Sequence, residues 1–282
     1  MTIKRFLSRR SFLALAGTAP FAMRALAEQQ KPVGLELYSV REEVKKNLPA
    51  TLDSVSKMGY ECVEFYAPYY DWTPEYAKQV RTQLNTLKVR CYSTHNELKS
   101  LKPDGIERTI ELNRALGTHY VVLAHPGEIG TLDEWKRIID VLNGANDTLK
   151  SHGLHAGYHN HELEWKPISG QRPLEVIAAN TDKSVMLQLD VGTCLEAGAD
   201  PVEWINSNPG RIRSIHCKDW SPENGYRVLF GEGVAPWKKI FAAAEGTGGL
   251  EYYLIEQEGS QYPELETAER CLIAYHNLHA SA

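Results

Sequence analysis

Four residues of the types that bind divalent metal ions follow four short apolar segments in the second half of the chain. The apolar segments are residues 154–158, 185–189, 212–215 and 252–255, and they recur about every 30 residues. The candidate ligands at their ends are His159, Asp190, His216 and Glu256. Imidazole nitrogens and carboxylate oxygens suit Zn²⁺, Mn²⁺ or a related divalent ion. One such residue would indicate little, but four at corresponding positions predict a metal site.

The elements that must position these residues are predicted from the same apolar pattern. Eight strands, separated by helical patterns, are predicted at residues 33–38, 61–66, 89–95, 120–124, 154–159, 185–190, 212–217 and 252–256. Regular alternation of strands and helices favours a parallel sheet, and eight parallel strands can close into a (β/α)₈ barrel. The carboxyl ends of such strands surround one mouth, where active sites lie. We therefore predict an α/β protein with a single-domain TIM barrel.

Helix signals lie between the predicted strands. Residues 48–58 carry apolar side chains at a 3-4 spacing and end at Gly59, which adopts a left-handed cap at little cost. Thr73 and Pro74 form an N-cap and first-turn pair. Further helices are predicted at residues 75–87, 106–116, 132–149, 201–205, 236–244 and 264–278. No glycine-rich turn follows the first strand, so nucleotide binding by that device is unsupported.

Length and charge limit the classes of function. Residues 28–282 match the size of a single barrel, which is typically about 250 residues, and no Pro/Gly/Ser-rich linker divides them. The formal net charge of −5 provides no basic surface of the kind that nucleic acids or anionic membranes attract. No apolar run reaches the roughly 18 residues of a membrane-spanning helix. We therefore expect a small-molecule partner and no nucleic acid.

The first 27 residues have the order of parts found in a secretory signal. The segment Ser8-Arg9-Arg10-Ser11-Phe12-Leu13 contains a twin arginine, and residues 13–23 are apolar but too short to span a bilayer. Ala25-Leu26-Ala27 offers small residues to a signal peptidase. We predict that residues 1–27 are removed, that the twin-arginine export machinery is a partner, and that residues 28–282 form a periplasmic protein.

The five cysteines show no spacing typical of a metal site. They are Cys62, Cys91, Cys194, Cys217 and Cys271. Three of them lie inside predicted strands, so we expect buried free thiols, although an oxidising compartment would permit disulfides.

Six segments together carry a resemblance to a known family. They are residues 34–41 (GLELYSVR), 59–65 (GYECVEF), 158–161 (YHNH), 189–192 (LDVG), 216–219 (HCKD) and 231–233 (GEG). In order and spacing they resemble the xylose isomerase-like TIM-barrel superfamily, in its sugar phosphate isomerase/epimerase group. The resemblance implies one divalent ion (Mn²⁺, Zn²⁺, Co²⁺ or Mg²⁺) at the ends of the fifth to eighth strands. Its ligands would be His159, Asp190, His216 and Glu256.

One position departs from the sugar epimerases of that family. Many of them have a glutamate where this chain has His159, and that glutamate exchanges a proton with the substrate. An imidazole bound to metal cannot serve as that base. The Tyr-His-Asn-His segment is more similar to a subgroup that includes 3-keto-glycoside lyases and hydratases and inosose dehydratases. That similarity implies a sugar or glycoside substrate, polarisation of its carbonyl by the metal, enolisation, and loss or addition of a β-substituent.

Three residues are candidates for the base that enolisation requires: His161, Lys218 and His95, in that order. His161 lies two residues after His159, so it points to the same side of an extended strand. Besides moving a proton, it can contact the substrate, serve as an alternative metal ligand, or only orient His159 or Glu162. Lys218 lies two residues after His216 and can act as a base if its pKa is lowered, stabilise an enolate oxygen, or only form a salt bridge with Asp219. His95 ends the third predicted strand and would face the same mouth.

Five further residues are predicted to contact the substrate: Glu64, His125, Tyr66, Trp72 and Glu162. His125 ends the fourth predicted strand. Tyr66 and Trp72 bound an aromatic segment whose rings pack either on the apolar faces of a sugar or on one another. Glu64 either contacts the substrate or orients other side chains from beneath. Glu162 can instead reach the metal if the fifth strand ends earlier than predicted.

Other functions are compared with the favoured lyase or hydratase on a keto-sugar or glycoside. A sugar isomerase or epimerase is the nearest alternative. A periplasmic sugar-binding protein without catalysis would not require four intact ligands. A nuclease of the endonuclease IV type would need further histidine and aspartate ligands for a trinuclear zinc site. Thr193 occupies the position three residues after Asp190 where a histidine ligand would be expected, and the net charge is negative.

Overall fold

Eight parallel strands close into a barrel in the computed structural model, which describes residues 30–281. The predicted signal segment therefore lies outside the described residues. A compact unit begins at Pro32. The strands follow one another around the barrel in chain order, and the eighth pairs with the first. The predicted (β/α)₈ barrel is confirmed.

The elements are numbered here in chain order. The strands are β1 Val33–Glu36, β2 Cys62–Phe65, β3 Arg90–Glu97, β4 Tyr120–His125, β5 His155–His159, β6 Met186–Asp190, β7 Ser214–Cys217 and β8 Tyr252–Ile255. The α-helices are α1 Arg41–Met58, α2 Pro74–Leu87, α3 Ile106–Leu116, α4 Leu132–Lys150, α5 Pro173–Asn180, α6 Val191–Glu196, α7 Pro201–Ser207, α8 Trp237–Ala243 and α9 Glu264–His279. Short 3₁₀ helices span Leu37–Val40, Ala67–Asp71, Leu98–Leu101 and Leu163–Trp165, and a π-helical turn spans Ala244–Gly248.

The predicted strands all occur, with ends shifted by at most two residues. The helices were predicted less completely. Helix α1 begins well before the predicted residue 48, because its first turns are polar and lack the apolar spacing. Helices α5 and α6 were missed: α5 is short and apolar on most sides, and α6 follows β6 without a loop. Apolar periodicity has too few turns to register in such short helices.

Local signals fix several helix ends. Gly59 ends α1 with φ of 107°, the left-handed conformation that favours glycine. The side chain of Thr73 accepts a hydrogen bond from the backbone N–H of Tyr76 at 3.2 Å, which caps α2. All five cysteines are buried and free, as predicted. Among residues 30–281, no helix has the length and apolar character needed to cross a membrane.

Strand register brings polar residues to one level near the carboxyl ends of the strands. Glu36 of β1 lies beside Glu64 of β2, and Asp190 of β6 lies beside His216 of β7. Cys62, two residues before Glu64, belongs to an apolar cluster inside the barrel. Since side chains two residues apart point to the same face of a strand, the polar residues lie directly above this apolar interior.

Candidate metal centre and substrate cavity

The four predicted metal ligands meet at the mouth of the barrel. His159, Asp190, His216 and Glu256 each offer one ligand atom, and these atoms lie within 4.8 Å of one another. Each of the four residues is at most 8 % exposed. Two ligands on opposite sides of one ion are separated by about 4 Å, because each metal–ligand bond is about 2 Å long. The spacing therefore suits a single ion.

The ring of His159 is oriented by a glutamine on the neighbouring strand. Nδ1 of His159 lies 3.1 Å from Oε1 of Gln188. An amide oxygen can only accept, so Nδ1 carries the proton and Nε2 keeps its lone pair. Nε2 lies 3.8 Å from Oδ2 of Asp190, which places a free lone pair beside the second ligand.

His216 lies between two carboxylates. Its Nδ1 is 2.5 Å from Oε2 of Glu256, and its Nε2 is 2.8 Å from Oε2 of Glu64. Burial alone would lower the pKa of His216, but these two hydrogen bonds raise it well above its ordinary value. A metal-binding histidine usually donates its other ring N–H to a carboxylate. Glu64 provides that outer carboxylate and leaves Nδ1 for the ligand cluster.

Asp190 has one carboxylate oxygen engaged and the other without a hydrogen bond. Oδ1 accepts a hydrogen bond from the backbone N–H of Thr193 at 2.9 Å. Oδ2 is buried and has no hydrogen-bond partner. Burial raises the pKa of this carboxyl group. A buried oxygen of this kind is costly unless a partner satisfies it, so the donor set fits a divalent cation.

The buried groups around this cluster carry an excess of carboxylates. Glu36, Glu64, Asp190 and Glu256 are all at most 8 % exposed, and Lys218 is a buried cation among them. Burial and the nearby Glu64 carboxylate raise the pKa of Glu36 well above its ordinary value. A bound divalent cation would offset much of this negative charge.

Lys218 contacts two of the ligands. Its Nζ lies 3.6 Å from Oδ2 of Asp190 and 3.6 Å from Oε1 of Glu256, and it also pairs with Glu258. Burial alone would lower the pKa of Lys218, but these carboxylates raise it well above its ordinary value. The prediction that Lys218 acts as a base therefore does not fit its surroundings, which hold it as a cation. Its partner is also not the adjacent Asp219, which the sequence suggested for a salt bridge.

Gln188 links two histidines to Glu64 and was missed by the sequence analysis. Its Oε1 lies 2.7 Å from Nε2 of His95, and its Nε2 donates to Oε1 of Glu64 at 3.1 Å. Burial lowers the pKa of His95 to about 4, so this ring is neutral near pH 7. The sequence carried one signal for this role. Gln188 is a polar residue in an apolar strand, and it lies two positions before Asp190, so both side chains face the interior of the barrel.

A cavity of about 310 Å³ opens onto the metal centre. It is lined by two of the proposed ligands, His159 and Glu256, together with Glu36, Tyr38, Tyr66, Ala67, His95, His125, His161 and Glu258. The ring centroid of His161 lies 5.0 Å from that of His159 and 5.6 Å from that of His125. His161 and His125, both outside the ligand set, therefore lie where they can exchange protons with a molecule in the cavity.

Two predicted substrate contacts, Glu64 and Trp72, do not line this cavity. Glu64 is fully buried, and its carboxylate is engaged by His216 and Gln188. It orients the ligands from beneath, which was the second role considered for it. The ring of Trp72 packs edge-on against Phe65 at 5.1 Å and also against Tyr69 and Tyr76. The aromatic segment thus packs largely on itself, and only Tyr66 of the predicted pair reaches the cavity.

Glu162 lines a neighbouring groove rather than the metal cavity. It is not a member of the metal-ligand cluster, because β5 continues to His159 as predicted. The buried carboxylate in this segment is Glu164, which accepts hydrogen bonds from the hydroxyl of Tyr158 at 2.6 Å and from the backbone N–H of His161 at 2.9 Å. Glu164 therefore fixes the backbone that carries His161.

Contacts with Asp219 account for the glycines in the segment 231–233, which follows β7. The carboxylate of Asp219 accepts hydrogen bonds from the indole N–H of Trp237 at 2.8 Å and from the backbone N–H of Gly231 at 2.9 Å. A Cβ on Gly233 would lie 2.1 Å from Oδ1 of Asp219. The segment is held close to the end of β7 by Asp219 and requires glycine for that approach.

Comparison with known proteins agrees with this architecture. A family model described as the xylose isomerase-like TIM barrel matches residues 52–272. The chain belongs to this family. It is 27 % identical over 146 residues to an inosose dehydratase of Geobacillus thermodenitrificans, a match that covers 45 % of this chain and 48 % of that protein. The chain thus spans about half the length of the curated relatives it matches.

Solved structures share the fold across most of the chain. A sugar phosphate isomerase/epimerase from Parabacteroides distasonis is 24 % identical, with a TM-score of 0.73, over 88 % of this chain and 94 % of that chain. The IolI protein, in a structure with a bound zinc atom, is 17 % identical, with a TM-score of 0.70, over 88 % of this chain and 97 % of that chain. At these identities the likeness establishes the barrel architecture alone.

Proposed function

We propose that this protein is a divalent-metal-dependent enzyme that enolises a keto-sugar or 3-keto-glycoside and then eliminates or hydrates at the β-carbon. The observation that carries this proposal is the buried set of four ligand atoms within 4.8 Å, in which Oδ2 of Asp190 has no hydrogen bond. Two of these ligands line a cavity that also contains imidazoles outside the ligand set. Such a combination can hold a cation, a substrate and a proton acceptor together.

The ion would be held by His159, Asp190, His216 and Glu256. When bound, a divalent ion supplies Lewis acidity that polarises a ketone or a neighbouring hydroxyl group of the substrate. Gln188 and Glu64 orient the two histidines through their outer nitrogens. The zinc atom bound by IolI, which has the same fold, agrees with this assignment.

His161 is the favoured base. It lines the cavity beside a ligand, yet it is outside the set of four, so its ring nitrogens remain available for a proton. Its backbone is fixed by Glu164. In the proposed step His161 accepts the proton from the carbon beside the ketone. The C–H electrons form the C=C bond of the enolate, and the C=O pair moves to the ketone oxygen. When the C=O bond forms again, the enolate pair makes the C=C bond to the β-carbon, and the β-substituent leaves with its own bonding pair.

His125 lies where it can complete the proton exchange. Its ring is stacked on that of His161 with centroids 5.6 Å apart. Partial desolvation, with His161 nearby, lowers the pKa of His125. Once His161 has taken the proton from the carbon, the neutral ring of His125 can accept that proton from His161 and pass it to the leaving oxygen. His95 is held by Gln188 on the cavity wall, and it is the remaining candidate for the base.

Exchange of hydrogen for deuterium tests the proposal. Incubation of the metal-loaded protein with a 3-keto-glucoside in D₂O should introduce deuterium at the carbon beside the ketone, read by mass spectrometry. His161→Ala should keep the metal and lose the exchange. His276→Ala, on α9, is the matched control and should exchange like the wild type. If no 3-keto-glucoside or ketose exchanges with the wild-type protein, the enolisation mechanism is wrong.

A further inference from the structure

A second, larger cavity lies beside the substrate cavity. Its volume is about 630 Å³, against about 310 Å³ for the cavity at the metal centre. It is formed by the segment after β4, residues 126–130, and the segment after β5, residues 162–168, with Trp135 of α4 contributing to its wall. We call it the lateral groove. Together the two spaces can hold a ligand larger than one sugar ring.

The lateral groove joins the substrate cavity at two histidines. His125 and His161 line both spaces, and their rings are stacked at 5.6 Å with 29° between the planes. A ligand that occupies both spaces must pass these rings. The junction therefore coincides with the groups proposed to move protons, where a bond to a leaving group would lie.

Apolar side chains form much of the groove. Ile129, Leu163 and Ile168 line it, and Leu163 is 59 % exposed. An exposed leucine alone would mean little, but beside two other apolar residues in a concave wall it favours an apolar ligand. The charged residues that line the groove are Glu128, Glu162, Glu164 and Lys166. They belong to the two segments that form its sides, and the carboxylate of Glu164 is already engaged by Tyr158 and the backbone of His161.

Trp135 adds an unsatisfied polar atom to this wall. The residue is 3 % exposed, and its indole N–H has no hydrogen-bond partner. Its ring is held edge-on against Tyr158, with centroids 6.2 Å apart. A buried indole N–H usually finds an acceptor. An oxygen on an otherwise apolar ligand in the groove would provide that acceptor after a small adjustment of the wall.

We infer that the ligand has two parts: a sugar ring for the metal cavity and an apolar aglycone that bears an oxygen for the lateral groove. This inference deepens the proposed function, since it selects a glycoside over a free keto-sugar. The bond between the two parts lies at the pair of histidines. The aglycone would then be the β-substituent that leaves.

Binding of glucosides that cannot enolise tests this inference apart from catalysis. Phenyl β-D-glucoside and methyl β-D-glucoside carry the same sugar ring without a ketone, and calorimetric titration gives their dissociation constants. The phenyl compound should bind at least about tenfold more tightly, which corresponds to about 1.4 kcal/mol. Leu163→Ser, which removes apolar surface from the groove, should reduce this ratio. Ile273→Ser, which changes an equally exposed apolar residue on α9, should preserve it.

The outcomes separate this inference from the proposed chemistry. Equal affinity for the two glucosides, or a ratio that Leu163→Ser leaves unchanged, would overturn the two-part ligand. That result would stand even if the wild-type protein enolises a free ketose. Conversely, a large phenyl preference in a protein that shows no deuterium exchange would support the groove as an aglycone site and reject enolisation.

Discussion

Nε2 of His216 lies 2.8 Å from Oε2 of Glu64, a residue of β2 that is three strands away around the barrel. The contact assigns one ring nitrogen of His216 to the interior and turns the other, Nδ1, toward Glu256 and the ligand cluster. Glu64 is fully buried and also accepts from Gln188. A residue that cannot touch the substrate thus determines which atom of His216 is available to a metal ion.

Replacement of Glu64 by glutamine should weaken metal binding without removing a ligand. The amide of glutamine can donate its N–H to Nε2 of His216. The proton of the ring then resides on Nδ1, the nitrogen that faces the ligand cluster. Loss of such an outer partner typically costs about 10- to 100-fold in metal affinity. Competition with a fluorescent chelator measures the effect. Glu245→Gln is the control, because Glu245 forms a carboxylate–imidazole contact of 2.7 Å with His279 away from the cluster. An equal loss of metal affinity in both variants would show that Glu64 has no special role in metal binding.

Metal ions should stabilise the folded protein through Asp190. A ligand at 100 times its dissociation constant raises the free energy of unfolding by about 2.7 kcal/mol. For a protein of this size that corresponds to a rise in Tm of about 5–10 °C. Addition of Mn²⁺ or Zn²⁺ after chelator treatment should produce this rise in the wild type and none in Asp190→Ala. The surface variant Asp140→Ala should respond like the wild type. A full metal response in Asp190→Ala would falsify the ligand assignment.

Export should depend on Arg9 and Arg10. These residues precede an apolar segment and an Ala-x-Ala site, the order expected of a twin-arginine signal. Conversion of both arginines to lysine keeps the positive charge and removes the motif, so the precursor should accumulate in the cytoplasm, as fractionation and immunoblotting would show. Conversion of Lys4 and Arg5 to Arg and Lys is the matched control. Unchanged periplasmic delivery of the double-lysine variant would show that the segment is another kind of signal.

The sequence predicted the residues at strand ends better than the contacts among them. Each of His159, Asp190, His216 and Glu256 ends an apolar segment, and a closed parallel barrel brings such ends together whatever the details of packing. His161 lies just beyond the end of β5, and it lines the same cavity as His159. These predictions depend only on periodicity, which a single sequence carries.

The roles of Glu64, Lys218 and Trp72 depend on partners that are distant in sequence. Glu64 meets His216 across 152 positions, and Lys218 is surrounded by carboxylates from β6 and the end of β8. Trp72 turns toward its own segment because Phe65 and Tyr76 provide a wall there. No local sequence pattern indicates which of several inward-facing polar side chains will contact one another. Gln188 was missed for the same reason, although its position in an apolar strand marked it.

Lys218 should stabilise the metal-free protein and oppose metal binding. Its ammonium lies 3.6 Å from both Asp190 and Glu256, and it is 3 % exposed, so it compensates the same carboxylates that a metal ion would occupy. Removing one partner of a buried ion pair typically costs about 3–5 kcal/mol. Lys218→Met should therefore lower the free energy of unfolding of the chelator-treated protein by about 3 kcal/mol.

The same substitution should increase the gain that metal provides, because the ion no longer meets a neighbouring positive charge. Urea unfolding with chelator and with Mn²⁺ measures both quantities in one variant. Lys136→Met removes a surface ion pair with Asp133 and should change neither by more than about 1 kcal/mol. If Lys218→Met lowers the stability of both forms equally, the lysine contributes packing rather than charge. If it leaves the metal-free form unchanged, Asp190 and Glu256 do not need a cation, and the electrostatic argument for the metal centre is lost.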